Sequence, residues 1–265
     1  MAHNVLLLGG LGKIAQLLTP LLLRRSWNVT SIIRNADQVP AVEKLAPPTS
    51  SSTGKLTVLV RSLDDVTSQA KARSLIDEVK PDYVVWSAGA GGKGGPSRTF
   101  AIDRDAAIHF IRAAAEEGSG VTRFLMVSYL GSRRVKPNWW SDKAWSDMEG
   151  VNRGVLKNYY EAKVAADEVL YEEGRKRDGF VGICLRPGTL TDDRASGVEL
   201  GRTKESGGGV SRESVAIVAE RLLAEGAVKN VWLDLLDGEE DIGAAVGRVV
   251  REGVDCAEGE TNHGK

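Results

Sequence analysis

The residues of this chain that could do chemistry gather where its apolar runs end. Val5–Leu8 passes into Gly9-Gly10-Leu11-Gly12-Lys13-Ile14-Ala15 and then directly into a segment of helical period. Gly9 permits a tight turn, Gly12 lets backbone N–H groups approach a pyrophosphate, and Ala15 keeps the helix close to the strand. The helix start adds unpaired amides and partial positive charge, which suit an anion. Gly9, Gly10, Leu11, Gly12, Lys13 and Ile14 are therefore the expected phosphate cradle of a dinucleotide, against the alternative of a glycine-rich turn that holds nothing. The second run ends in Ser31-Ile32-Ile33-Arg34-Asn35. A carboxylate there would accept from the ribose 2′-hydroxyl of NAD, whereas Arg34 is a fork of donors suited to the 2′-phosphate of NADP. Arg34, with Lys13 as a second positive charge, points to NADP, and to NADPH over NADH. A solvated surface arginine is the competing reading, and Asp37 is the residue that would reverse the preference. Asp64, after the third run, is placed to accept from the adenine amino group, or is an exposed turn residue. Ser87-Ala88-Gly89 opens a glycine-rich stretch to Gly95, where backbone would pass close to a ligand.

These residues need a scaffold, and the rest of the chain supplies one. Strand-length apolar runs occur at Asn4–Leu8, Asn28–Ile33, Leu56–Arg61, Asp82–Ser87, Thr122–Ser128, Phe180–Arg186 and Val231–Leu236. Most are continuously apolar, as in strands buried on both faces of a parallel sheet. Helical patterns fall between them, at about 12–26, 67–80, 103–117, 152–177, 211–225 and 240–252, the last with Ile242, Ala245, Val246, Val249 and Val250 on one face. Pro20 is expected to kink the first helix or shift its start. The alternation predicts an α/β fold, a doubly wound parallel sheet of about seven strands with helices on both faces. A single domain over 1–265 is expected, with excursions at about 132–151 and 189–210. A polar loop at Ala46–Gly54 and a loose tail from about 254 complete the outline.

Composition narrows the class. The 265 residues are 42% apolar and 27% charged, with 35 Lys plus Arg against 36 Asp plus Glu. That balance argues against nucleic-acid binding, which normally needs a basic excess. No run reaches the ~18 apolar residues of a membrane span, and nothing at Met1–Asn4 reads as a signal peptide. Cys184 and Cys256 alone make neither a disulfide framework nor a four-ligand zinc site. A cytoplasmic protein with a small-molecule substrate, no nucleic acid and no membrane is expected.

Taken together, the pieces resemble an atypical short-chain dehydrogenase/reductase, the NAD(P)H-binding, epimerase/dehydratase-like branch whose fold is of the Rossmann type. The resemblance runs through about residues 4–190. It rests on the Gly9–Ala15 turn, Arg34-Asn35, Ser87-Ala88-Gly89, Phe124-Leu125-Met126-Val127-Ser128, Tyr159-Tyr160-Glu161-Ala162-Lys163 and Arg186-Pro187-Gly188. It implies cofactor contacts from Asn35, Ser87, Ala88, Gly89, Lys163, Pro187 and Gly188, and a catalytic Ser128, Tyr159 and Lys163. Ser128 would orient a substrate carbonyl, and Tyr159 would pass the proton. Lys163, four residues on, shares its helix face and would hold the nicotinamide ribose. A tyrosine of ordinary pKa about 10 is a weak acid–base group at neutrality, and a nearby ammonium and the nicotinamide cation would bring it toward working range. Ser128 and Tyr159 stand far apart in sequence for this family, however, and Tyr159 could instead be a packing aromatic. The intervening Trp139, Trp140 and Trp145 could close a lid over the nicotinamide, pack the excursion, or meet a partner.

The implied activity is an NADP-dependent oxidoreductase acting on a small carbonyl or aromatic substrate. The alternatives are a non-catalytic NAD(P)-binding redox sensor and an NAD(P)-dependent epimerase or dehydratase. A monomer or homodimer is expected, the dimer through the long 152–177 helix by the family's habit.

Overall fold

The structure, a computed structural model, describes residues 2–47, 54–91 and 94–260. The expected loop at Ala46–Gly54 lies largely outside those residues, as do Gly92, Lys93 and residues 261–265. All seven expected strands form: β1 (Asn4–Leu8), β2 (Asn28–Ile33), β3 (Leu56–Val60), β4 (Tyr83–Trp86), β5 (Arg123–Val127), β6 (Val181–Pro187) and β10 (Val231–Asp237). They are joined by β8 (Val198–Gly201) into one sheet ordered β3-β2-β1-β4-β5-β6-β10-β8. Every pairing is parallel except β10 with β8.

Side chains on β1 alternate between two buried layers, which is why the run is apolar throughout. Val5 and Leu7 pack with Ile14, Leu18 and Leu22 of α1 (Lys13–Arg24), with Val215 and Val218 of α8 (Arg212–Ala224) and with Val246 of α9 (Ile242–Glu252). Leu6 and Leu8 face Leu75 and Ile76 of α3 (Gln69–Val79), Phe110 of α5 (Ala107–Ala115) and Leu170 of α7 (Lys157–Lys176). Between β1 and β4 the winding reverses, so their carboxyl ends splay and leave a crevice.

Several expectations are corrected. α1 runs on through Pro20 with no break, since the ring gives up only the bond that one carbonyl a turn earlier would have received. The long helix expected over 152–177 forms as α7, starting five residues later at Lys157, and a separate helix, α6 (Asp142–Arg153), precedes it across a turn that begins at Gly154. The 103–117 helix begins earlier, as α4 (Gly95–Thr99) followed by a π-helical stretch at Phe100–Ala106 that widens the turn under the crevice. The 189–210 excursion contributes β8 to the main sheet, and it pairs β7 (Thr189–Thr191) with β9 (Gly209–Ser211). A short α2 (Val39–Glu43) follows β2. The tail is not loose over 254–260. The Cys256 amide donates to the Trp232 carbonyl, Cys256 and Ala257 are fully buried, and the Glu260 carboxylate accepts from the amides of Arg134 and Val135.

Candidate active site

The crevice at the ends of β1–β4 holds a cavity of about 360 Å³, lined among others by Gly9–Gly12, Arg34, Gln38, Arg61, Asp64 and Ser87–Gly91. Its floor is where glycine is obligatory. Gly9 has φ +86°, and a Cβ there would lie 2.7 Å from the Ala88 Cα. At Gly10 a Cβ would stand 1.8 Å from the Ser31 Oγ. The first turn of α1 leaves its amides without intrahelical partners, and Gly12 caps it with no side chain that could occupy them. Free amides behind a close backbone approach are donors that a diphosphate could take, and Gly9, Gly10, Leu11 and Gly12 all line the cavity.

The other expected cofactor residues divide. Arg34, Asp64, Ser87, Ala88 and Gly89 line the same cavity. The Asp64 carboxylate takes a two-pronged bond from Arg98 at 3.0 and 3.1 Å, and that bond holds it below the usual carboxylate range. Asp37, which would have reversed the cofactor preference, is not among the lining residues. Asn35 is a correction: its amide donates to the Gln38 Oε1 in a capping box, so it shapes the turn while Gln38 reaches the cavity. Lys13 is another, for its ammonium lies 2.6 Å from Asp192 and faces a separate surface cleft with Gln16, Leu17 and Arg212. Ile14 points into the core beneath the cradle. Pro187 and Gly188 brace β6, the Pro187 carbonyl accepting from the Leu130 amide and the Gly188 amide donating to Leu235, and neither lines the cavity.

A second group sits on α7, which carries Tyr159, Lys163 and Asp167 at helical spacing on one face. Lys163 is buried, donates to the Val127 carbonyl at 3.0 Å, and its Nζ lies 6.0 Å from the centre of the Tyr159 ring. Burial works against its charge, but Tyr159, Asp103 and Asp167 outweigh that and hold the ammonium above its ordinary value. Asp103, on the π-helical stretch, accepts from the Ala90 amide at 2.9 Å, and the charge of Lys163 acts on its carboxyl at longer range. A Cβ on Gly89 would come within 2.8 Å of the same carboxylate, which explains that glycine.

Two chemical expectations change. Burial raises the Tyr159 hydroxyl above its ordinary value, and Lys163 recovers only part of the shift, so in the unliganded protein the phenol is not activated. Ser128 is buried and its Oγ donates to the Asp167 carboxylate at 2.6 Å. A hydroxyl has one proton, so in this arrangement Ser128 cannot also donate to a substrate carbonyl. Of the three uses open to the tryptophans, the structure favours packing. Trp140 is buried, donates to the Thr203 carbonyl at 3.0 Å and packs with Leu130, Ala144, Met148 and Leu236. The Arg133 guanidinium lies 5.1 Å from the rings of both Trp139 and Trp140. These two indoles pack the excursion instead of forming a lid. Trp145 sits at the edge of the same cluster.

Asp103, Asp167, Arg61 and Arg98 were missed by sequence reasoning. Asp167 alone left a local signal, as a carboxylate one turn beyond Lys163 on an otherwise apolar face; the others are brought in by the fold. Among the described residues no cluster could hold a metal ion, and no helix is long and apolar enough to cross a membrane.

A family described as NAD(P)H-binding matches this chain over residues 9–226. The UPF0659 protein C216.03 of Schizosaccharomyces pombe is 30% identical over 249 residues, covering 92% of this chain and 94% of its own length. A Bacillus subtilis protein described as the uncharacterized sugar epimerase YhfK is 28% identical, covering 92% and 98%. In structure, a putative NAD-dependent epimerase/dehydratase from Bacillus halodurans superposes with TM-score 0.70 at 25% identity, over 93% of this chain and 100% of that one.

Proposed function

The chain belongs to the NAD(P)H-binding family, and on that premise we propose that it is an NADP-dependent oxidoreductase of a small carbonyl or aromatic substrate. When bound, the dinucleotide supplies or accepts the hydride. The chain's own residues do the rest. The glycine cradle and the amides of α1 hold the diphosphate, and Arg34 meets the 2′-phosphate. Tyr159 gives a proton at its Oη to the substrate oxygen in reduction, or takes one in oxidation. Lys163 keeps two of its three protons after bonding Val127, enough to reach ribose hydroxyls. The observation that carries this reading is the pairing, on one face of α7, of Tyr159 with the buried Lys163, whose Nζ lies 6.0 Å from the Tyr159 ring centre.

A second reading, a non-catalytic NAD(P)-binding sensor, is favoured by the Ser128 hydroxyl being committed to Asp167 and by the unactivated Tyr159. The names of the B. subtilis and B. halodurans proteins favour a third use of the same hydride chemistry, epimerisation. Titration with both reduced dinucleotides, then a panel of aldehydes, ketones, quinones and sugars, separates them. NADPH consumption that Tyr159→Phe abolishes supports the reductase. Tight binding with no turnover supports the sensor, and isomerisation without net NADPH consumption supports the epimerase.

A further inference from the structure

The wall of the cavity away from the glycine cradle carries three arginines and one carboxylate, Arg34, Arg61, Arg98 and Asp64. Arg98 and Asp64 satisfy each other. Arg34 and Arg61 are left, and the sheet makes them neighbours. Ile33 pairs with Val60 at the end of β2 and β3, and the Arg61 amide donates to the Ile33 carbonyl at 2.8 Å. The next step in that register sets Arg34 beside Arg61 on strands about 4.8 Å apart. Arg34 is exposed and has no ion pair among the described residues. Arg61 bonds to Glu78 at 3.1 Å, in a pair that is half open to water on both sides. Two adjacent guanidinium groups repel each other until an anion lies between them. A phosphate monoester is the anion that suits them, with three acceptor oxygens for two planar forks. The diphosphate is accounted for at the cradle, so this second phosphate belongs to the ribose.

We propose that Arg61, from β3, is the second arm of a clamp that closes with Arg34 on the ribose 2′-phosphate, and that it leaves Glu78 to do so. This rests on the dinucleotide reading above and goes beyond it in making Arg61 the residue that sets NADPH against NADH. Glu78 then competes with the cofactor for one guanidinium.

Calorimetric titrations with NADPH and with NADH test it, using the wild type, Arg61→Ala, Arg61→Lys and Glu78→Gln. Arg61→Ala is expected to weaken NADPH about tenfold or more while changing NADH by less than about threefold. Arg61→Lys, which keeps the charge but loses the fork, is expected to recover part of that loss. Glu78→Gln is expected to tighten NADPH and leave NADH unchanged. Equal effects of Arg61→Ala on the two dinucleotides, or none on either, would overturn the clamp while leaving the dinucleotide reading intact. A wild type that binds neither dinucleotide would overturn both.

Discussion

On the proposed reading, Tyr159 is the residue on which the chemistry turns. Its hydroxyl is raised by burial, so it is protonated throughout the neutral range and would carry the proton that reduction requires. The midpoint of its deprotonation lies above the ordinary tyrosine value of about 10. The reductive rate should therefore stay level through neutrality and fall at strongly alkaline pH, while the oxidative rate should climb over the same interval. A pH–rate profile run in both directions checks the sign, and a reductive rate that falls below pH 8 would assign the acid elsewhere. Tyr159→Phe should lower turnover by about 10²–10⁴-fold, the usual worth of a positioned acid, with NADPH affinity nearly unchanged. Rates and dissociation constants measured on one preparation separate the two effects. Asp103 and Asp167 show why part of this site was not legible in the sequence. Burial raises both carboxyls, against the pull of Lys163. That burial comes from elements distant in the chain, and no local pattern announces it.

At the scale of elements, the β1–α1 junction and the α6 excursion make opposite demands. The junction was readable because its glycines answer a local backbone need. Gly9→Ala would force a left-handed residue and press a Cβ against the Ala88 backbone. A loss of about 1–3 kcal/mol is expected for the strain, together with loss of dinucleotide binding, and urea unfolding with cofactor titration reads both. The α6 helix was not readable: DKAWSDMEGVNR is mostly polar, and its buried Ala144 and Met148 find their partners on distant segments. Trp140 belongs to that packing. Trp140→Ala should cost about 3–5 kcal/mol of stability and leave NADPH affinity within about twofold, since the indole fills a core and covers no cofactor. A selective loss of NADPH binding at unchanged stability would restore the lid.

Across the whole molecule, the sheet was legible and its closure was not. Continuous apolar runs announce strands covered on both sides, and helical periods announce their covers. The last segment is held by charge pairing that no local pattern betrays. Arg133 is fully buried, ion-paired with Asp234, and donates to the Cys256 carbonyl at 2.8 Å. Asp234 also has Arg186 at 3.7 Å, stacked on Trp232. Arg133→Met would leave Asp234 with that more distant partner and release residues 254–260. A loss of about 3–5 kcal/mol follows from uncovering half of a buried pair. Thermal unfolding checks it, and a melting temperature equal to the wild type would mean that the segment docks without Arg133, through Glu260, the bonds of Asp255 and Cys256 and its apolar contacts.

The central claim is that a nicotinamide dinucleotide spans from the glycine cradle to Tyr159. A crystal structure of the protein grown with NADPH tests it most directly. The account predicts diphosphate oxygens within hydrogen-bond distance of amides at the start of α1, and the nicotinamide ring beside the Tyr159 hydroxyl. Density for the cofactor anywhere else, or a vacant cleft at saturating NADPH, would contradict it.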